Sequence, residues 1–286
     1  MKTNRYFLNH FFFALSLVVL FSSSVQAETT ECTVITSLPY TISTQGIYCL
    51  KGHLGTSMTS GNAIEINTNN VVIDLNGYKI GGLGAGPATH AVGIYAYQRQ
   101  NITIRNGTVR GFYRGIFLDD ADPNTTSQGH LIEDIRADMN PYTGIHVEGQ
   151  GCIIRNNQVV SSGGSTFDGW AFGIRTKGPG VSILNNDVME TKEKTAGYAY
   201  GISLESASGS QVENNRIGNA DLGAGTSIAI DIVSSSNVFV SNNRVIKMNY
   251  GIWYHFGSSS GKFRDNLTSD APFPGVHSGT DAGGNN

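Results

Sequence analysis

Apolar and polar residues alternate over short stretches along most of this chain, the period-two signature of strands with one covered face. No window beyond the N-terminus carries a helical stripe. The stretches recur in a fixed order. Gly-Ile stands at 93, 115, 144, 173, 201 and 251, with Ala229-Ile230 in the same frame, at spacings of 22, 29, 29, 28, 28 and 22. A second marker follows: ITIRNGTV at 102–109, CIIRNNQV at 152–159, SILNNDV at 182–188, QVENNRI at 211–217 and VFVSNNRV at 238–245, with FRDNL at 263–267 a degraded copy. Asn-Asn between two strands supplies a residue that tolerates left-handed geometry at a tight bend. Three short strands within the shortest spacing describe one turn of a parallel β-coil.

One such coil cannot offset the entropy of ordering its own backbone, so the coils must stack. Equivalent residues then line up in ladders about 4.8 Å apart. Asn157, Asn186, Asn215, Asn243 and Asn266 form one expected ladder, with a structural role. Cys152 falls at the inward position held by Ile102 and Val181, which reads as a buried thiol.

NNVVIDLNGYKIGG (69–82), NITIRNGTVRGF (101–112) and the Gly-Ile and Asn-Asn pattern over roughly residues 60–270 resemble the right-handed parallel β-helix repeats of secreted bacterial, pectate-lyase-like proteins. The resemblance implies an all-β fold, a single right-handed parallel β-helix (β-solenoid) of about eight to nine coils. Members of this broad group mostly act on, or bind, polysaccharides. The expected organisation is a signal peptide at 1–27, a capping segment at 28–60, the β-helix at 61–270 and a polar tail at 271–286. Lys2 and Arg5, the apolar run Phe11–Phe21 and the small-x-small end at Val25–Ala27 carry the signal-peptide reading. They place the protein outside the cytoplasm, secreted or periplasmic, with no membrane span after cleavage.

Composition narrows the partners. The chain has a formal net charge of −3 and only 14% charged residues, which argues against nucleic acid or an anionic membrane. A polysaccharide or cell-envelope glycan and a monomeric state are the expectation. Export permits disulfides, and Cys32 and Cys49 both precede the repeats, so they are the expected pair.

The residue after each inward Ile points outward, which yields two parallel columns. One runs Glu65, Tyr95, Phe117, His146, Arg175, Ser203, Asp231, Trp253; the other runs Asn67, Tyr97, Asp119, Glu148, Lys177, Glu205, Val233, His255. Scarce charges thus gather on one exposed face. Lys177, Arg175 and His146 are candidates for the base and the positive charge of a polysaccharide lyase. Glu148, Glu205 and Asp231, with Asp119, supply carboxylates for hydrolysis or for a calcium ion, a possible cofactor. Trp253, Asp119, Tyr97 and His255 are candidate substrate contacts. The sequence carries no aspartate-rich calcium motif and no zinc spacing. Asp119-Asp120, His146 and Arg175-Thr176-Lys177 loosely echo polygalacturonase motifs, but Tyr95-Ala96-Tyr97 lacks the carboxylate of the fourth.

The additions SSGGSTFDGW, METKEKTAGY and NADLGAGTS all enter the Gly-Ile strand from one side and are expected to wall a cleft. The aromatic pairs Trp170/Phe172 and Tyr198/Tyr200 are expected to pack those loops. The alternative is a non-catalytic envelope or surface β-solenoid acting in adhesion or carbohydrate binding, its charges being cross-strand ion pairs.

Overall fold

The computed structural model describes residues 31–193, 197–222, 225–255, 259–272 and 279–285. The predicted signal peptide and part of the tail lie outside them. Every paired strand is parallel to its neighbours, and a single 3-10 turn, Leu83–Ala85, is the helical structure among the described residues. One sheet stacks nine strands: Tyr40–Ile42, Asn62–Ile66, Val92–Tyr97, Arg114–Asp119, Thr143–Glu148, Trp170–Lys177, Tyr198–Glu205, Thr226–Val233 and Tyr250–Tyr254. A second sheet of 18 strands is assembled from the short runs on either side of each Asn turn. Together they wind a right-handed parallel β-solenoid. Tyr40–Ile42 and Tyr250–Tyr254 are each paired on one side only, leaving seven strands flanked on both sides. The stack is therefore slightly shorter than eight to nine complete turns, because the repeat frame also counts the two end strands.

Register follows the Gly-Ile frame. Ile94, Ile116, Ile145, Ile174, Ile202, Ile230 and Ile252 are paired in succession and buried. Each buried aliphatic side chain contributes about 1.5–3 kcal/mol. The glycine before most of these Ile residues is a matter of space. A Cβ on Gly173 would lie 2.6 Å from the carbonyl oxygen of Gly201 in the next turn. Cys152 fills its inward slot as a buried free thiol, and burial pushes its pKa up to about 11.

The two asparagines of each turn divide the work. Asn156, Asn185, Asn214 and Asn242 have φ of 57°, 56°, 57° and 56°, the left-handed bend. Asn157, Asn186, Asn215, Asn243 and Asn266 are buried and form the ladder. Asn186 Nδ2 donates to Ile154 O (2.9 Å) and Asn215 Oδ1 (3.0 Å), while Asn186 Oδ1 accepts from Asn157 N and Nδ2 (both 3.0 Å). The buried carboxamide of this corner is thus satisfied by the coils on either side. Asn285 continues the ladder, since its Oδ1 accepts from Asn266 N (3.0 Å) and Nδ2 (3.1 Å). At the other end, residues before 60 already run in register, with Tyr40 opposite Ile64 and Gly46 opposite Val71. A Cys32–Cys49 disulfide ties this segment together.

The three long insertions stack on one another through their backbones. Lys192 N donates to Ser162 O (3.0 Å), Tyr198 N to Gly169 O (2.9 Å) and Thr226 N to Gly197 O (2.8 Å). Lys192 Nζ joins Glu190 (2.6 Å) to Asp221 (2.9 Å) across two of them. The insertion at 119–130 leaves the opposite end of its strand and folds around buried Asp120. Its carboxylate accepts from the backbone N–H groups of Ala121 (2.9 Å), Thr126 (3.0 Å) and Ser127 (2.9 Å). The same insertion ends at His130, whose Nδ1 accepts from Ile102 N (3.2 Å) and whose Nε2 lies 2.7 Å from Ser127 Oγ.

Two outcomes follow. Asn186→Ala leaves partners on both adjacent coils unsatisfied and is expected to cost about 3–5 kcal/mol in urea denaturation. Asn185→Gly, at a left-handed position, should be close to neutral. His130 has a depressed folded pKa, lowered to about 4 by burial. Its stabilisation is complete above the unfolded value and is lost as pH falls from there toward the folded one. Stability is expected to drop by about 2 kcal/mol between about pH 7.5 and pH 5, and His130→Gln should flatten that slope.

Candidate functional site

The outward residues of the nine-stranded sheet align as two columns. Phe117 pairs with His146, His146 with Arg175, Arg175 with Ser203 and Ser203 with Asp231. Beside them, Glu148 pairs with Lys177, Lys177 with Glu205 and Tyr97 with Asp119. Inward Thr176 separates the two cations of Arg175-Thr176-Lys177 and is fully buried. The sheet therefore brings together side chains from 29 and 28 residues away on either side of Lys177.

Lys177 Nζ lies 3.9 Å from Glu148 Oε1 and 3.6 Å from Glu205 Oε2, so one ammonium serves two carboxylates. Arg175 Nη2 donates to Glu205 Oε2 at 2.9 Å, and its Nη1 lies 3.4 Å from Tyr142 Oη. Arg175 also packs its guanidinium 4.8 Å from the Phe172 ring centroid. Neither cation is fully solvated: their side chains are 16% and 26% exposed. His146 and Glu148 are more enclosed than their outward positions suggest, at 3% and 8%. Aromatic stacking and the 119–130 insertion explain this. Phe117 lies against the His146 ring at 4.6 Å, and Asn124 Nδ2 donates to Glu148 Oε2 at 3.2 Å.

This environment separates the titrations. Burial pushes the Glu148 carboxyl up, with Lys177 opposing in part. Burial acts on Glu205 in the same sense, but the Arg175 hydrogen bond and the Lys177 charge outweigh it and hold that carboxyl below its ordinary value. Burial, then the charges of Arg175, Arg114 and Lys177, keep His146 neutral well below the usual imidazole range. Its Nε2 is 3.0 Å from Glu148 Oε1, yet neither ring nitrogen has an aligned hydrogen-bond partner among the described residues. The close approach is charge against ring, not a directed bond. Burial and the nearby Glu148 charge raise Asp119, which accepts from Tyr95 Oη at 3.1 Å.

Asp231 does not join this group. Its carboxylate is buried, accepts from Ser203 Oγ (3.3 Å) and contacts His255 Nε2 at 2.7 Å. That hydrogen bond raises the His255 pKa. Trp253 stacks on His255, their ring centroids 5.3 Å apart. The predicted site residues thus form two clusters along the face: His146, Glu148, Arg175, Lys177 and Glu205 in the middle, and Asp231, His255 and Trp253 toward the last coil. Asp119 and Tyr97 lie on the other side of the first cluster. The carboxylates considered for calcium do not converge, and no group of three or more His, Cys, Asp or Glu among the described residues could hold a metal ion.

The wall aromatics divide differently from the expectation. Phe172 is buried and stacks on Tyr200 at 4.9 Å, whereas Trp170 and Tyr198, paired in register, are exposed. Residues two apart point to the same face, so the difference is one of position: Phe172 and Tyr200 stand directly before the glycine, over the sheet, while Trp170 and Tyr198 are the first residues of their strands. Burial pushes the Tyr200 hydroxyl up to about 12. Arg114 was missed, because it precedes Gly115 and so falls outside both columns. Its guanidinium carbon sits 5.1, 4.6 and 5.1 Å from the ring centroids of Tyr113, Phe117 and Tyr142. The recurrence of aromatics just before Gly-Ile was the available signal.

Among solved structures, the mannuronan C-5 epimerase AlgE6 A-module of Azotobacter vinelandii is similar at 12% identity and a TM-score of 0.50, over 89% of this chain and 90% of that one. The alginate lyase of Paenibacillus sp. str. FPU-7 matches at 14% identity and a TM-score of 0.49, over 85% and 99%. The pectate lyase Pel9A matches at 16% identity and a TM-score of 0.47, over 84% and 69%. At these identities the likeness is one of fold. No curated protein matches the sequence. The model of the right handed beta helix region matches residues 92–277, the stretch that carries the repeats and both clusters, and the chain belongs to that family.

Proposed function

We propose that this protein binds an acidic polysaccharide lengthwise along the Gly-Ile face, outside the cytoplasm, with the Arg175–Lys177 pair as the anchoring centre. One observation carries the reading. The sheet's Arg and Lys residues, Arg114, Arg175 and Lys177, all fall within three consecutive strands, Arg114 at the wall end of its strand and Lys177 at the end nearer the 119–130 insertion. Exposed Tyr97, Trp170 and Tyr198 and half-buried Trp253 border that strip and offer flat apolar faces to sugar rings. Arg175 and Lys177 keep donors beyond those used on Glu205 and Glu148, so a uronate carboxylate can add to the network. The similar solved fold from Azotobacter vinelandii is named for mannuronan, and it fits the same substrate class.

A second reading adds cleavage, by lyase or hydrolase chemistry. It rests on Glu148, pushed up, and Glu205, held down, sharing Lys177. Two carboxyls driven apart in this way are what a proton donor and a proton acceptor need. Enclosed Glu148 would have to gain access through movement of Asn124.

Titration calorimetry with oligogalacturonate, oligomannuronate and dextran tests the binding. Lys177→Ala and Arg175→Ala are each expected to weaken uronate binding about tenfold, a loss of about 1.4 kcal/mol. Equal affinity for dextran and the uronates would refute the proposal. Affinity should rise as pH falls from neutrality, because Asp119 and Glu148, both raised by burial, take up protons above the ordinary carboxylate range while the ligand stays ionised. For cleavage, the ultraviolet absorbance of unsaturated products and a reducing-end assay distinguish lyase from hydrolase. Glu148→Ala should abolish either signal with the fold retained, and a wild type inert in both assays leaves a binding solenoid.

A further inference from the structure

We infer that Arg114 is the residue that selects for carboxylate-bearing sugars, a recognition point separate from Arg175 and Lys177. The inference rests on the acidic-polysaccharide reading of the same face. Charge accounting is its basis. The nine-stranded sheet has three Arg or Lys residues, and two of them are already compensated: Arg175 by Glu205, and Lys177 by Glu148 and Glu205. Arg114 makes no ion pair within 4.0 Å and no hydrogen bond among the described residues. Asp119, on the same strand, is the acid it influences, but that carboxylate is engaged by Tyr95 and is itself raised by burial. Arg114 is therefore the positive charge on this face that has no partner of its own.

Its mounting fits that role. Three rings, Tyr113, Phe117 and Tyr142, surround the guanidinium at 4.6 to 5.1 Å. Tyr113 is fixed by a short hydrogen bond to Asp168 and by stacking on Tyr142 at 4.7 Å. Tyr142 in turn contacts Arg175. Aromatic faces hold the guanidinium plane but supply no acceptors for its in-plane N–H groups. Such a group is pre-organised to meet a planar carboxylate with two parallel hydrogen bonds, whereas an ammonium offers only a point charge. A neutral His146 beside it, with no aligned partner, adds no competing anion. If Arg114 served only to staple the aromatic cluster, its loss would change stability and leave ligand selectivity untouched.

Arg114→Gln and Arg114→Lys, each checked for fold by circular dichroism and Tm, are titrated with oligogalacturonate, oligomannuronate, dextran and a sulfated glucan. Arg114→Gln is expected to lose about tenfold or more in uronate affinity, and Arg114→Lys about threefold, with dextran unaffected. The Lys variant retains the charge and guards against a Gln variant that fails to fold. Wild-type-like uronate binding in folded Arg114→Gln overturns the inference and leaves the proposed function standing. A wild type that binds none of the uronates overturns the proposed function, and this assignment with it. Preference for the sulfated glucan, lost in Arg114→Gln, replaces carboxylate by sulfate as the recognised group and overturns the assignment as stated.

Discussion

The structure depends on one constraint: successive coils must stack in register at the spacing of hydrogen-bonded strands. No coil can bury its own corners. The buried asparagines show how the constraint is met, because a carboxamide such as that of Asn186 donates to both neighbouring coils and accepts from the preceding one. A slip of one residue would turn every inward Ile outward and leave the corner carboxamides facing nothing. The glycines before Ile94, Ile116, Ile145, Ile174 and Ile202 belong to the same constraint, since each removes a Cβ that would strike the next coil's carbonyl.

Register has a chemical consequence. In a solenoid, residues nearly thirty positions apart become immediate neighbours, and their charges must be compensated across coils. Around Lys177 that compensation is incomplete in an informative way. Two carboxylates share one ammonium, one of them held down and the other pushed up, beside a histidine kept neutral by burial and cations. Ion pairs placed only for solubility would sit in water and leave titrations undisturbed. Here Phe117 and the 119–130 insertion withdraw solvent from His146 and Glu148, and electrostatics become strong where water is excluded.

The wall and the floor are supported separately. The insertions at one end of the strands are joined by backbone hydrogen bonds and by the Lys192 ion pairs, whereas the 119–130 insertion is organised around a buried aspartate. The Asp120 carboxylate oxygens are occupied by backbone N–H groups of that insertion. Tyr113 links the two systems, stacked on the sheet and tied to Asp168 of the wall. A ligand on this face would therefore meet a surface largely formed in advance.

The fold class, the coil register, the buried role of Cys152 and the Asn ladder were all readable from sequence, because period-two alternation and a repeating frame are local patterns. The columns of outward residues could also be read, since register fixes strand partners. What alternation cannot report is how deeply an outward residue is covered. His146 and Glu148 point away from the core and are nonetheless enclosed, because Phe117, Arg175 and the tip of a separate insertion close over them. The separation of Asp231 from Lys177, the exposure of Trp170 beside buried Phe172, and the place of Arg114 among three rings have the same origin. Repeat position determines which strands are neighbours; side-chain conformation and the path of the insertions, which do not repeat, decide what each charge finally touches.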